Sequence, residues 1–250
     1  MTNPYAPPKA HLEQEILNMD GQGSLQGGIN GDYDFSITDI IAEGWEKTSG
    51  AKGTIWLAFL IFFVISIIVS VVQSLIHPDP ALLFQQKELG TAAFWMTITT
   101  LENIPLTYPL IAGITLLSIR RSVDAEITAG SIFQAYAKVI PLTLLMIASM
   151  LLSLLGFFLL VIPGIYLSIA YLMSMSLMID RDMGVWEALE TSRKAITKHW
   201  FKIFFLYLLL GVMFIAAALP LLIGLIWMLP LLLCVHGILY KKMFGVASVQ

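Results

Sequence analysis

The chain has 250 residues, of which 58% are hydrophobic and 12% are charged, and its formal net charge is -3. Soluble domains are about half apolar and a quarter charged, so this chain has more apolar surface than a water-soluble core could bury. A soluble fold is therefore excluded. The sequence has neither a basic run nor an RNA-binding aromatic motif, so nucleic acid is not an expected partner. The single cysteine, Cys234, excludes an intramolecular disulfide.

The first 35 residues are polar and rich in glycine and proline. They cannot bury enough apolar surface to offset the entropy of ordering. We therefore predict a flexible cytoplasmic tail over residues 1–35, with one helical turn around residues 13–17. No apolar stretch typical of a cleavable signal peptide lies in the first 30 residues, so we expect internal spans to drive insertion.

Residues 36–250 are predicted to form an all-α membrane domain of six transmembrane helices. The first span covers about residues 54–76 and contains no charge. The second, about residues 94–119, contains Glu102, Asn103, Pro105 and Pro109. Two long apolar runs follow, at residues 139–179 and 201–240. One helix of either length would measure roughly 60 Å against a hydrocarbon core of about 30 Å, so each run must fold back.

Proline and glycine mark the two expected reversals, because proline cannot continue the backbone ladder and glycine permits a positive φ. Pro163 and Gly164, followed by Tyr166, divide the first run into spans of about residues 139–160 and 165–179. Pro220 and Gly224 divide the second into spans of about residues 201–219 and 221–240. With six spans both termini share one side, which then carries all but one of the 14 lysines and arginines. The exception is Lys87, so we expect both termini in the cytoplasm.

Three segments that each precede an outgoing span resemble one another: SITDIIAEGW from Ser36, SIFQAYAKVI from Ser131 and GVWEALETSR from Gly184. They predict three cytoplasmic amphipathic helices at the membrane interface and an internal threefold repeat. Chance similarity among short amphipathic helices is the alternative that the sequence leaves open.

The third segment, residues 184–200, has the clearest pattern. Its apolar residues recur at three- and four-residue steps, with acidic residues early and basic residues late, as suits the helix dipole. Asp182 is the expected N-cap. Such a helix would lie along the inner membrane surface, and its candidate lipid contacts are Trp186, Arg193, Lys194, Lys198 and Trp200. The alternative is a connector that packs on the other spans.

Glu102 is the candidate residue for ligand or ion binding, together with Asn103 and Thr99. A carboxylate inside a span is costly and by default suggests a functional site. Pro105 would leave the carbonyl of Leu101 free, and some transporters hold ions with broken helices of this kind. The alternative is that Glu102 is hydrated near the outer interface. Because the first, third, fourth and sixth spans offer it no lysine or arginine, we do not expect a buried salt bridge.

No metal site, cofactor or catalytic residue is predicted. His77 and Asp79 share a loop but are too few to bind a metal. Met173, Met175 and Met178 have no cysteine or histidine cluster beside them. His236 and Tyr240 are expected to anchor the last span near the inner interface. No GxSxG, HExxH or glycine-rich phosphate loop lies in a suitable context, so we expect no enzyme activity.

Residues 163–192 carry the pattern PGIYL…Y…D…G…EAL…S, which runs from Pro163 through Tyr171, Asp180 and Gly184 to Ser192. This pattern resembles a broad group of mostly bacterial, uncharacterised integral membrane proteins. They are similar to the membrane domain fused to some glycerophosphodiester phosphodiesterases and to the YciC-like inner-membrane proteins. In the fused proteins the phosphodiesterase activity belongs to a separate soluble barrel. The resemblance therefore implies a fold and a bacterial inner-membrane location, and no catalytic residue.

Two functions are compatible with these features. The first is a non-enzymatic polytopic inner-membrane protein that organises lipid or binds membrane partners. The alternative is a small transporter or channel that uses Glu102 in a proline-broken helix. Membrane lipids are the expected partners, and other membrane proteins or a second copy of the chain are further candidates.

Overall fold

A computed structural model describes residues 22–247, and these residues are helical, with no β-strand among them. A 3₁₀ helix, Ala129–Lys138, lies between the fifth and sixth α-helices. The α-helices are α1 Leu25–Asn30, α2 Ile37–Thr48, α3 Lys52–Ile76, α4 Pro80–Gln85, α5 Leu89–Ser122, α6 Val139–Leu159, α7 Val161–Ala170, α8 Ser174–Arg181, α9 Val185–Lys198, α10 Trp200–Ala218 and α11 Leu225–Phe244.

Five helical segments are long and apolar enough to cross a membrane, which confirms the predicted all-α membrane protein. They are α3, the 3₁₀ helix with α6, α7 with α8, α10, and α11. These segments contain five of the six predicted spans. The remaining one, residues 94–119, lies within α5, which has 34 residues but is not among the five. Its polar residues, Glu102 and Asn103 among them, lower the mean hydropathy of this helix.

Helix α5 is continuous through both of its prolines. The predicted break at Pro105 is therefore wrong. The side chains of neighbouring residues bond to carbonyls in this part of the helix: the Thr107 hydroxyl donates to the Asn103 carbonyl at 3.0 Å, and the Tyr136 hydroxyl donates to the Leu106 carbonyl. Neither of these is a carbonyl that a proline frees, because those belong to Leu101 and Pro105.

The first reversal occurs at Leu160, three residues before the predicted position. Leu160 is extended, with φ -164° and ψ 155°, and separates α6 from α7. Pro163 then lies in the first turn of α7, where a missing N–H costs little. Gly164 serves close packing, because a Cβ there would lie 2.3 Å from the Phe157 ring. The Pro163–Gly164 pair therefore starts the returning helix and does not itself form the turn.

The second reversal lies at the predicted place, between α10 and α11. The left-handed residues are Leu221 and Leu222, with φ 50° and 66°, whereas Gly224 has φ -61°. Gly224 is instead needed for close approach, because a Cβ there would lie 2.4 Å from the Ala217 carbonyl oxygen. The following span begins at Leu225 and not at Leu221, because residues 219–224 form the turn.

The three segments of the predicted repeat each pack one face against the membrane helices. In α2, Gly44 meets Val235 of α11, where an added Cβ would lie 2.6 Å from the valine side chain. The second segment is a 3₁₀ helix and not an α-helix, and its Ile132 backbone lies against Gly113 of α5. In α9 the buried face is Ala188, Leu189, Thr191, Ser192, Ala195 and Ile196.

The segment before α2 also packs against the rest of the protein, from residue 22 onward. Tyr33 and Phe35 are buried, and the Tyr33 hydroxyl donates to the Ala195 carbonyl at 3.0 Å. This differs from the prediction of a flexible tail up to residue 35, because two aromatic rings near its end find a buried site. The predicted helical turn at residues 13–17 lies outside the described residues.

The first and last parts of the described chain are joined by an ion-pair cluster. The Glu43 carboxylate of α2 lies 2.7 Å from Lys241 Nζ and 3.3 Å from Lys242 Nζ of α11. Burial works to raise the pKa of Glu43, but the hydrogen bond from Lys241 and the charge of Lys242 outweigh it and hold that pKa below its usual range. The Gly23 N–H donates to the Lys241 carbonyl at 2.9 Å.

Replacement of Gly237 by alanine should destabilise the helix bundle. A Cβ at Gly237 would lie 2.0 Å from the Ser118 carbonyl oxygen of α5, so α5 and α11 would have to separate. We expect a loss on the order of 1–3 kcal/mol in unfolding free energy. Gly211 of α10 is the matched control, because nothing lies within 4 Å of a Cβ added there. Gly211→Ala should be neutral or stabilising by up to about 1 kcal/mol. Detergent unfolding that gave both variants equal stability would contradict this packing.

Candidate functional site

The basic residues predicted to contact lipid line one surface groove, which we call the basic groove. It lies between α1 and α9, has a volume of about 630 Å³, and is lined by Ile29, Asn30, Arg193, Lys194, Thr197 and Lys198. Helix α1 is followed by Gly31, which adopts the left-handed conformation with a φ of 87°. That turn lies against the Lys198 side chain and positions α1 beside α9.

The start of α9 differs from the prediction that Asp182 caps it. Gly184 is the N-cap, and the Glu187 carboxylate accepts from the Gly184 N–H at 3.4 Å. Asp182 instead ends α8 in a left-handed conformation, with φ 56°. Its carboxylate lies 2.8 Å from Lys138 Nζ, and the hydrogen bond from that ammonium lowers the pKa of Asp182.

Two of the three cations that line the basic groove pair with the Glu190 carboxylate, which is not among the lining residues. Arg193 donates two hydrogen bonds to Glu190, at 2.8 and 2.7 Å, and Lys194 Nζ lies 3.5 Å from the same carboxylate. The hydrogen bond from Arg193 holds the pKa of Glu190 below its usual range. Lys198 makes no ion pair with any residue in the described range 22–247. The groove therefore carries an excess of positive charge that can attract an anion.

The two tryptophans at the ends of α9 differ in their surroundings. Trp186 is 67% exposed. Trp200 is half-buried, stacks on Phe204 with ring centroids 5.1 Å apart, and donates from Nε1 to the Tyr166 carbonyl at 3.3 Å. The Tyr166 hydroxyl is 2.7 Å from the Thr197 hydroxyl. Trp186 is therefore open to the surroundings of the protein, whereas Trp200 mainly packs α9 and α10 against α7.

Glu102, Asn103 and Thr99 do not converge on one point. The Glu102 side chain is 45% exposed, and its carboxylate lies 2.9 Å from His77 Nε2 at the end of α3. Asn103 Oδ1 is buried and has no hydrogen-bond partner among residues 22–247. The Thr99 hydroxyl donates to the carbonyl of Trp95 in its own helix at 2.9 Å. The pairing with His77 was missed because that histidine lies in a loop 25 residues earlier.

The buried polar residues of the 163–192 pattern hold the backbone where a candidate span is interrupted. Helix α7 ends at Ala170 and α8 begins at Ser174, within the candidate span Val161–Arg181. The Ser192 hydroxyl donates to the Ala170 carbonyl at 2.7 Å and accepts from the Met173 N–H at 3.2 Å. The interruption is therefore closed by a side chain from α9.

His236 lies in a partly buried hydrogen-bonded chain between helices. One ring nitrogen is 2.9 Å from the Ser176 hydroxyl and the other is 2.8 Å from the Tyr207 hydroxyl. Tyr240 also has a buried partner, since its hydroxyl donates to Asp180 at 2.7 Å. These partners lie on helices far away in sequence, so local pattern could not reveal them.

The sequence analysis also failed to predict a cavity that is lined by hydroxyl groups and methionines. It has a volume of about 450 Å³ and lies among α5, α6, α7, α8 and α11, with His236 in its wall. The serine spacing in α6 was the available signal, because Ser149 and Ser153 are one turn apart on one face of an otherwise apolar helix. The polar lining residues are Tyr108, Thr115, Ser149, Ser153, Ser168, Tyr171, Ser174 and His236.

The comparisons with known proteins return no relative. No family model matches the chain, and neither a curated protein nor a solved structure matches it. Within residues 22–247 no group of three or more histidine, cysteine or acidic side chains is placed to hold a metal ion.

Ser192→Ala should destabilise the protein. Removal of the hydroxyl leaves the Met173 N–H without its acceptor and the Ala170 carbonyl without its donor, which costs on the order of 1–3 kcal/mol for a buried group. Ser122→Ala is the matched control, because that buried hydroxyl donates only to the Ile119 carbonyl of its own helix. Thermal unfolding in one detergent would compare them. An equal midpoint for the two variants would contradict a role for Ser192 in closing the interruption.

Proposed function

We propose that the chain is a non-enzymatic polytopic protein of the bacterial inner membrane that binds anionic lipid in the basic groove. The observation that carries this proposal is the charge of that groove: Arg193 and Lys194 share one carboxylate, and Lys198 has no ionic partner among residues 22–247. The groove lies on the helix that leads directly into α10, a candidate span. Lipid phosphates would therefore be within reach of its cations.

We further propose that α5 is a sixth span and that both termini are cytoplasmic. The part of α5 between Glu102 and Arg120, residues 103–119, would measure roughly 26 Å, close to the thickness of the hydrocarbon core of about 30 Å. Glu102 would then lie outside the hydrocarbon, as its exposure and its pairing with His77 favour. Of the helices that α5 contacts, α3, α6, α8 and α11 belong to candidate spans. Six spans would put all but one lysine or arginine on the cytoplasmic side.

The three-unit repeat is part of this proposal. In two proposed units a short helix precedes a candidate span, α2 before α3 and α9 before α10, and in the other the 3₁₀ helix forms the first part of the candidate span that contains α6. Each short helix packs one face on the bundle, which supports a common role. In α9 the opposite face carries Trp186, Lys194 and Lys198, which remain exposed for headgroups.

A second groove supports a role in lipid organisation. It lies between α2, α10 and α11, has a volume of about 670 Å³, and is mostly apolar, with Trp45, Met213, Ala217 and Trp227 in its walls. Because α10 and α11 are candidate spans, we propose that an acyl chain fills it. Transport through Glu102 receives less support, since the groove beside that carboxylate is lined mainly by apolar residues of α3 and α5.

Neutralisation of the basic groove should weaken the binding of anionic lipid. In the triple variant Arg193→Gln, Lys194→Gln, Lys198→Gln, each lost cation removes on the order of 1 kcal/mol of attraction. We expect an affinity for phosphatidylglycerol at least about tenfold lower, measured with the full chain in nanodiscs by quenching of tryptophan by a labelled lipid. Lys87→Gln is the control and should change nothing. Equal binding of phosphatidylglycerol and phosphatidylcholine by the unaltered protein would refute the proposal.

Binding should change with pH through Glu190. Its pKa is held below the usual range by Arg193, so the ion pair is intact above the ordinary glutamate pKa of about 4.3 and is lost only as the pH falls through the lowered value. Phosphatidylglycerol affinity should therefore be constant from about pH 8 to 5 and rise at lower pH, when protonation frees Arg193. Glu190→Gln should bind more tightly and show no such rise. A fall in affinity on acidification would contradict this assignment.

A further inference from the structure

A cavity of about 450 Å³ lies beside the α7–α8 interruption. Irregular backbone within a membrane span persists only where it is buried in protein or lines a polar cavity. Here Tyr171 and Leu172, in the turn between the two helices, line the cavity, and Ser192 holds that turn from the opposite side. Interrupted spans of this kind mark binding sites in other membrane proteins.

The lining offers hydrogen bonds but no charge. The hydroxyls of Ser149, Ser168 and Ser174 donate to carbonyls of residues three or four positions earlier, at 3.0, 2.8 and 2.6 Å. Their oxygens therefore keep lone pairs that can accept from a ligand. Ser153 and Tyr108 also line the cavity and supply hydroxyls. No aspartate, glutamate, lysine or arginine belongs to the lining, so a charged ligand would find no counter-charge.

The methionines and the histidine of the cavity do not form a soft-metal site. Both ring nitrogens of His236 are engaged, by Ser176 and Tyr207. The Met175 sulfur lies 3.5 Å from the Thr115 hydroxyl, whose shorter hydrogen bond, at 2.9 Å, goes to the Ile111 carbonyl. These groups serve as an apolar and weakly accepting wall.

The mouth of the cavity is apolar. Met150 of α6 and Ile111 of α5 line it and are 51% and 39% exposed. Met150 belongs to a candidate span, so this opening faces acyl chains. A ligand that fits both parts has an uncharged hydroxylated end and an apolar tail, and the volume is within the usual range of roughly 300–1,000 Å³ for small-molecule sites.

We propose that this cavity binds the glycerol end of an uncharged glycerolipid of the diacylglycerol class. The free hydroxyl of the lipid donates to serine oxygens of the cavity, its ester carbonyls accept from the hydroxyls of Ser153 and Tyr108, and its acyl chains leave past Met150. The inference does not depend on anionic lipid at the basic groove, because the two sites have different residues and opposite requirements for charge.

The test uses the full chain in phosphatidylcholine nanodiscs with a diacylglycerol that carries a diazirine in one acyl chain near the glycerol. After illumination, mass spectrometry should place the label on α6 and α7 around the cavity. Excess unlabelled diacylglycerol should remove this label, and phosphatidic acid with the same chains should not. The double variant Ser149→Ala, Ser168→Ala should reduce labelling at least about fivefold, because two acceptors are lost.

Ser74→Ala is the matched control, because that hydroxyl donates to the Val71 carbonyl of its own helix at 2.8 Å, outside the cavity. It should leave labelling unchanged. If the double variant does not fold, as judged by thermal unfolding, Met150→Trp should abolish labelling by closing the mouth. Equal competition by phosphatidic acid, label spread evenly over the lipid-facing side of α3, or full labelling of Met150→Trp would each overturn the proposal. Label found only on α9 would indicate binding at the basic groove and would contradict binding in the cavity.

Discussion

The structure depends on one constraint, which is that backbone N–H and C=O groups inside a membrane must find partners within the protein. A continuous helix meets this constraint by itself, and most of the candidate spans are continuous. The segment Val161–Arg181 is not, because its backbone leaves the helix at residues 171–173. There the hydroxyl of Ser192 supplies both a donor and an acceptor. Helix α9 is therefore required by the bundle.

Close contact between helices explains many of the glycines. Without a strong hydrophobic force between helices in lipid, association depends on small residues that let backbones approach. Gly237 lies against Ser118, Gly113 against Ile132, and Gly164 against Phe157. The Gly113 and Gly44 contacts fix two of the short helices to α5 and α11. The outward faces of the bundle remain apolar, as expected for a protein surrounded by acyl chains.

Hydropathy was sufficient to predict the membrane fold and the positions of five candidate spans, because apolar runs of that length have few alternatives. The turns were predicted to within a few residues, since proline and glycine mark them, although Leu160, Leu221 and Leu222 adopt the turn conformations. The polar sites were harder to predict. Glu102 pairs with His77, and His236 pairs with Tyr207. Both pairs join segments that are distant in the chain, and a single sequence does not show which distant residues come into contact. The lysines and arginine of α9 were recognisable because one helix carries them all.

The contact between Glu43 and the lysines of α11 has a consequence for biosynthesis. Helix α2 is made early, but the surface that covers its Ile40 face and neutralises Glu43 belongs to α11, and Glu43 and Lys241 are 198 residues apart in the chain. Until α11 has left the ribosome and entered the membrane, α2 lacks its partner. This part of the bundle therefore closes only after α11 has been made. A product that stopped before α11 would expose an unpaired helix to the cell's proteases.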